Sequence, residues 1–224
     1  IFLNGDDMYA LVFSVNPSYK ISEYLSVIAN STFTSHSLQS SSWNLQNGQS
    51  NSAFNGRFMN LSVGLRYHMA ERRTNYTTEI VNRIPRLWTA DAAIGSHFAG
   101  SPLSSQNKLA AAPGKHVSVG LNHPFINPIY YGRFEFAFDA LSGNKSSADF
   151  SSKYFRANYF LMTSIQRQMS KSLSSNHVPN RFDIHFGLGA GASTLHEKGF
   201  NDYFISKGDD MLNLAAKVVP TFQV

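Results

Sequence analysis

The chain has 224 residues, of which 42% are hydrophobic and 15% charged, and its formal net charge is +5; typical soluble domains carry about 25% charged residues. It contains no cysteine, which excludes disulfides and thiolate metal sites, and no window holds the ~18 to 20 apolar residues of a membrane helix. The positive charges are scattered rather than clustered, which argues against nucleic-acid binding.

Alternation of apolar and polar residues is the main signal along the chain. Between Tyr9 and Ile21, seven successive odd positions carry large apolar side chains or proline, while the even positions are mostly small or polar. A period of two predicts a β-strand. A run of this length suits a strand that crosses a bilayer at a tilt better than a soluble strand of about 5 to 6 residues.

The same period returns eight times. The further predicted strands are, in chain order, 25–33, 61–69, 88–98, 117–125, 134–140, 155–165, 182–192 and 212–222. We therefore predict an all-β fold, an antiparallel transmembrane β-barrel of about ten or more strands, nine of them readable in this chain. Residues 1–224 are expected to form a single domain.

The connections between these strands differ in length and composition. Tight turns are predicted at Ser22–Glu23 and Asn127–Pro128. Longer connections rich in Ser, Asn, Gln and Gly are predicted as outer loops at 34–57, 99–115, 142–153 and 194–210. The connections 70–86 and 168–180, on the side of the tight turns, are also long. The contrast is typical of outer-membrane barrels, which have short periplasmic turns and longer extracellular loops.

The first and ninth strands resemble each other. Gly5–Met8 and Gly208–Met211 both read Gly-Asp-Asp-Met, and at the same offset Leu11 matches Leu214 and Pro17 matches Pro220. Either a duplicated strand or convergence of two alternating segments explains the repetition. Because a bacterial single-chain barrel has an even number of strands, the count of nine predicts that at least one strand is missing and that the domain is incomplete at one or both ends.

Charged side chains in the predicted strands fall on the face opposite the aromatic one. In an outer-membrane barrel the apolar face meets lipid and the polar face lines the lumen, whereas a soluble barrel reverses the two. Strand length and the aromatic residues at strand ends favour the membrane orientation. The predicted lumen-facing residues are Arg66, His68, Asp91, Arg133, Glu135, Asp139, Arg156, Asp183, His185 and Lys217.

The alternating aromatic strands, the run Pro17–Ser26 and the Ser- and Asn-rich loops resemble Gram-negative outer-membrane β-barrel proteins in general. The resemblance covers nearly the whole chain but is one of pattern. It implies location in the bacterial outer membrane, with the lipid bilayer and lipopolysaccharide as partners.

The histidines raise the alternative of a lipid hydrolase. His68 lies near Arg66, and His185 near Asp183, on the lumen-facing side. No nucleophile motif accompanies them, and a buried polar network accounts for them better because unpaired buried charges are destabilising. We therefore expect no enzymatic activity, no cofactor and no metal site.

The function predicted first is a porin-like channel for small polar solutes. The alternative is a closed barrel that serves as a structural or interaction scaffold and binds a protein partner, or another copy of itself, through the loops 34–57 and 194–210. Strand number and lumen width separate the two functions. A narrow barrel with paired interior charges favours the scaffold, and twelve or more strands around an open lumen favour the pore.

Overall fold

The computed structural model describes most of the predicted strands but not several of the connections between them. The described residues are 9–22, 24–39, 53–69, 88–100, 113–125, 127, 129–145, 148–169, 182–199 and 207–223. The N-terminal residues 1–8 and most of the predicted loops therefore lie outside the described part of the chain.

The fold is almost entirely β. Its strands are β1 (Tyr9–Val15), β2 (Ser18–Lys20), β3 (Leu25–Gln39), β4 (Ala53–His68), β5 (Thr89–Gly100), β6 (Gly114–Pro124), β7 (Tyr131–Lys145), β8 (Ala148–Ser164), β9 (Phe182–Gly199) and β10 (Lys207–Gln223). One short helix, α1 (Ile165–Met169), follows β8. No helix in the described part of the chain is long and apolar enough to cross a membrane.

These segments close into one barrel. β1 and β2 share a single register against both β3 and β10, so they are two halves of one strand interrupted at Asn16–Pro17. Neighbours from β2 to β10 pair antiparallel in chain order, and β10 then pairs with β1 and β2 in parallel. The barrel therefore has nine positions, which correspond to the nine strands that the alternation predicts.

The register fixes the tilt of the strands. From Tyr19 the paired residues run around the barrel through Val27, Leu65, Ala92, Val119, Phe136, Ala157, Ala192 and Leu212 to Tyr9. One circuit thus returns to the first strand ten residues away, which corresponds to a tilt of roughly 40°. Strands spaced about 4.8 Å apart then give a backbone radius of roughly 8 to 9 Å, enough to hold side chains but little else.

The parity argument from the sequence is wrong for this barrel. By that argument nine strands cannot close, and at least one strand is missing at one or both ends. The described strands instead close through the parallel pair β1–β10. The tenth strand segment of the sheet is β2, the second half of the first strand.

The similarity between the first and last strands coincides with their pairing. The parallel register places Leu11 beside Leu214 and Val15 beside Val218, the same offset at which the two sequences match. This β1–β10 seam is interrupted by proline. Asn16 N donates to Val218 O at 2.8 Å. The backbone groups of Val218 and of every second residue from it therefore point from β10 toward the first strand. Pro220 is one of these residues, but it has no N–H to donate.

The two faces of the sheet differ as the alternation predicts. Among the described residues, thirty large hydrophobic side chains are exposed, including Phe134, Phe136 and Phe138, whereas Arg133, Glu135 and Asp139 on the same strand are buried. The apolar face therefore points outward and the charged face inward. This is the reverse of a soluble barrel, in which the apolar side chains fill the interior.

The strands extend further into the polar segments than predicted. Within 142–153, predicted as a loop, residues 142–145 belong to β7 and 148–153 to β8, and the two strands pair as far as Lys145 and Ala148. Likewise β3 runs to Gln39, and β9 runs to Gly199. The Ser, Asn and Gly residues at these positions have little β-propensity, so the sequence did not predict strands there. In the predicted loops 34–57, 99–115 and 194–210, residues 40–52, 101–112 and 200–206 lie outside the described residues.

The parallel seam can be tested with disulfides, since the chain has no cysteine of its own. Val12 and Ala215 are paired across the seam and both are buried. We predict that V12C/A215C oxidises to near completion in the folded protein, because paired residues have Cα atoms within disulfide range. The measurement is the mobility shift of the oxidised double variant after proteolysis between the two positions.

The control is V12C/V219C, whose second cysteine lies on the same inward face four residues further along β10. These positions are about 13 Å out of register along the strand, so oxidation is expected to be slow. Equal oxidation of the two pairs would mean that the parallel register is wrong.

Candidate functional site

The barrel interior contains a network of charges centred on Asp91 of β5. Arg133 of β7 forms a two-pronged ion pair with this carboxylate, with Nη1 2.7 Å from Oδ2 and Nη2 2.8 Å from Oδ1. Arg66 of β4 adds a third contact, with Nε 3.1 Å from Oδ2. The carboxylate therefore accepts hydrogen bonds from two guanidinium groups at once, an arrangement that gives strong, directional charge-assisted contacts.

The network continues from Arg133 to the last strand. Arg133 Nε lies 3.2 Å from Glu135 Oε2, and the same oxygen is ion-paired with Lys217 of β10. The Lys217 ammonium also lies 5.2 Å from the centre of the Phe160 ring. Three cations and two carboxylates thus form one connected cluster in which every member is buried. We call these five residues, Arg66, Asp91, Arg133, Glu135 and Lys217, the lower network.

A second cluster, the upper cluster, lies nearer the end of the barrel at which β1 begins. Asp139 of β7 accepts hydrogen bonds from His116 Nδ1 at 2.5 Å and from Asn60 Nδ2 at 3.2 Å. His97 of β5 lies with Nδ1 2.6 Å from Asn60 Oδ1, and its ring stacks on Phe58 at 5.1 Å. All five side chains are buried. The cluster links β4, β5, β6 and β7 across the interior.

Apolar side chains fill the space that the charges leave. Val12, Phe160, Met162, Ala215 and Val219 form one buried cluster. Tyr154, Leu195 and Met211 form another on the level above. The interior is thus occupied by packed side chains from several strands rather than by a polar lining around open space.

Glycines on neighbouring strands make room for the largest interior groups. A Cβ atom added at Gly120 would collide with the guanidinium of Arg133 and with the carboxylate of Asp91, and one added at Gly189 would collide with the ring of Phe160. The alternating glycines of β9 thus lie where an added Cβ atom would meet both the backbone and the inward side chains of β8. They do not form a phosphate-binding loop, since they lie within a paired strand.

Seven of the ten residues predicted to face the lumen are buried inside the barrel, namely Arg66, Asp91, Arg133, Glu135, Asp139, Arg156 and Lys217. The other three are half-buried near the opposite end from the upper cluster. His68 Nε2 lies 2.7 Å from Ser26 Oγ. His185 contacts the Tyr131 hydroxyl at 3.1 Å, and its Nε2 lies 3.4 Å from Asp183 Oδ2.

The arrangement around His68 bears on the hydrolase alternative. Ser26 and His68 form a hydroxyl–imidazole pair, but no carboxylate of the described residues lies within ion-pair distance of that imidazole. A Ser–His–acid set needs a third group that orients the histidine. Among the described residues there is also no group of three or more His, Asp or Glu side chains that could hold a metal ion.

Sequence reasoning missed His97, His116 and Asn60. Each of them lies on the inward face of its strand, alongside predicted residues such as Asp91. The signal was therefore present in the parity of the positions. What the sequence lacked was the register of β5, β6 and β7, which brings His116 beside Asp139.

No family model, no curated protein and no solved structure matches this chain. A function must therefore be inferred from the contacts of the chain itself.

The lower network can be tested by removing its central carboxylate. Asp91→Asn leaves Arg66 and Arg133 buried without their shared anion, and loss of one partner of a buried ion pair costs about 3 to 5 kcal/mol. We expect the urea midpoint of unfolding in detergent micelles to fall accordingly.

The matched control is Asp210→Asn, which removes an exposed carboxylate bonded to Thr194 Oγ1 at 2.7 Å. Exposed polar contacts of this kind contribute less than about 1 kcal/mol. If both variants lose the same stability, the buried ion pairs do not stabilise the barrel.

Proposed function

We propose that this chain forms a bacterial outer-membrane β-barrel with a sealed interior, and that it serves as a transmembrane scaffold rather than as an open channel. The observation that carries the proposal is the closed interior. The charges of the lower network, together with Asp139 and Arg156, are at most 8% exposed and are bound to one another or to neutral polar groups. Water and solutes have no continuous polar path between side chains packed in this way.

The outer surface supports location in a membrane. Large apolar side chains face outward at mid-height on every strand of the barrel, for example Leu61, Ile94, Val119 and Leu188. A belt of this extent exceeds the apolar patches of soluble monomers. Exposed aromatic residues, namely Tyr19, Tyr24, Tyr67 and Trp88, lie at the end where β2 meets β3. Aromatic side chains of this kind favour the boundary between lipid and water.

The opposite end carries outward-facing basic side chains. The pairing places Lys115, Ala140, Lys153 and His196 in one row across β6, β7, β8 and β9, and the three basic residues are exposed. The row lies just above the apolar belt, whose nearest members are Val117 and Phe155. Such a row would contact the phosphate groups of lipopolysaccharide, which supports placing this end of the barrel on the extracellular side of the membrane.

A barrel that serves as a scaffold binds its partners through its strand ends and loops. With the interior filled, the surfaces that can meet a soluble partner are the two rims of the barrel. The extended hairpin of β7 and β8, which pair as far as Lys145 and Ala148, belongs to the outward rim. A protein partner or a second copy of the chain would bind there.

The membrane location can be tested at Leu188, whose side chain is 74% exposed at mid-height of β9. In water, arginine at so exposed a position has little effect on stability. In a bilayer, we expect Leu188→Arg to destabilise the barrel folded into lipid vesicles by about 2 to 4 kcal/mol. The control is Ile21→Arg, an exposed position at the barrel rim, for which about 0 to 1 kcal/mol is expected. Equal, small losses at both positions would contradict a membrane barrel.

The sealed interior can be tested by conductance in planar bilayers. We expect the folded protein to insert without producing regular current steps, because the ion pairs around Asp91 and Asp139 leave no path for ions. The channel predicted from the sequence remains the second candidate. It would be supported by uniform steps whose selectivity shifts toward anions when Asp139 and Asp183 are neutralised together, and that result would overturn the sealed scaffold.

A further inference from the structure

The buried charges of the interior do not balance among the described residues. Three carboxylates, Asp91, Glu135 and Asp139, face four cations that are equally buried, namely Arg66, Arg133, Arg156 and Lys217. In the lower network, two carboxylates serve three cations through direct ion pairs. The third carboxylate, Asp139, is bonded to His116 and Asn60. Among the described residues, the fourth cation, Arg156, therefore has no carboxylate in direct ion-pair contact.

Arg156 of β8 has neutral neighbours where a carboxylate would be expected. Its side chain is 1% exposed, and Nη1 donates to the Thr34 hydroxyl of β3 at 2.8 Å. The guanidinium lies 5.9 Å from the centre of the Tyr154 ring. No carboxylate of the described residues lies within ion-pair distance of it, and its Nε has no hydrogen-bond acceptor. A buried charge without a counter-charge is strongly destabilising.

A second unsatisfied donor lies at the next inward position of the same strand. Asn158 Oδ1 accepts from Asn213 Nδ2 at 2.9 Å, and Asn213 Oδ1 in turn accepts from Ser193 Oγ at 2.8 Å. In this arrangement Asn158 uses Oδ1 for the bond to Asn213. Its remaining group, Nδ2, is buried and has no acceptor. A chain of hydrogen bonds thus ends in an N–H donor two residues along β8 from Arg156, whose Nε also has no acceptor.

We propose that the interior binds one small inorganic anion of the size of chloride between Arg156 and Asn158. Both unsatisfied groups are donors, so the ligand must be an acceptor, and one of them is a cation, so a negative ligand compensates more than water does. The Cα atoms of successive inward residues lie about 7 Å apart, and one acceptor between the side chains can reach both. A single negative charge also matches the excess of one buried cation.

The test is the dependence of stability on chloride at constant ionic strength. The folded barrel in detergent micelles is unfolded thermally while chloride is replaced stepwise by gluconate, an anion too large for a packed interior. A ligand that binds only the folded state raises the unfolding midpoint by mass action. We expect the midpoint to rise with chloride and to saturate, with a total shift of about 3 to 6 °C for a chain of this size.

Two variants locate the site. Arg156→Met removes the cation, and Asn158→Asp supplies a carboxylate in place of the anion, so both are expected to lose the response to chloride. Asn158→Asp is also expected to fold, which keeps the test decisive if Arg156→Met does not. The control is Lys153→Met, which removes an exposed cation from the same strand and should keep the full response. An unchanged midpoint in the parent protein, or a chloride response that persists in Asn158→Asp, would overturn the proposal.

Discussion

The constraint on which the rest of the structure depends is the width of a closed barrel with nine positions. A backbone radius of roughly 8 to 9 Å leaves space for side chains but not for bulk water, so each interior charge has to be neutralised by another side chain or by a bound ion. This explains the two-pronged contact of Arg133 with Asp91 and the sharing of Glu135 between Arg133 and Lys217. It also explains glycine at position 120, where any side chain would displace that ion pair.

The interior contacts join strands that are distant in sequence and so specify how the barrel closes. Arg156 of β8 reaches Thr34 of β3, and Lys217 of β10 reaches Glu135 of β7. A slip of one residue in any strand would turn its whole charged face outward. The contact of Lys217 also ties down the strand whose other edge forms the parallel seam, and Val12 of β1 packs in the same apolar cluster as Phe160 and Ala215. Side-chain contacts thus support the seam, where Pro220 removes a backbone donor.

Much of this fold follows from a period of two. The alternation at 133–139 assigns each of those side chains to one face, and the structure has the phenylalanines outside and the charges inside. The number of barrel positions is likewise readable. The extension of β7 to Lys145 and the start of β8 at Ala148 could not be predicted from the sequence, because the Ser, Gly and Asn residues there resemble a loop in composition. The way in which the barrel closes could not be predicted either. The parallel pairing of β1 with β10 depends on a register that only the folded barrel defines.

The partners within the interior were still less accessible from sequence. The parity of a position tells that Asp139 points inward, but its contact with His116 requires the register between β6 and β7, and its contact with Asn60 spans the barrel. The absence of a direct ion pair for Arg156 among the described residues depends on the whole arrangement and has no local signature. Sequence therefore predicts which residues share the interior, and three-dimensional packing decides which of them meet.

The sealed interior is tested most directly by the reactivity of a single cysteine at its centre. Ala137 lies between Glu135 and Asp139 on the inward face of β7 and is 2% exposed, and the chain has no other cysteine. Ala137→Cys in lipid vesicles would be treated with a charged, water-soluble methanethiosulfonate, with Ser22→Cys at an exposed turn as the reference. The sealed barrel predicts that Cys at 137 stays unmodified until the protein is unfolded, while the reference reacts at once. Rapid modification of both positions in the folded protein would mean that water and ions enter the interior, and would contradict the account.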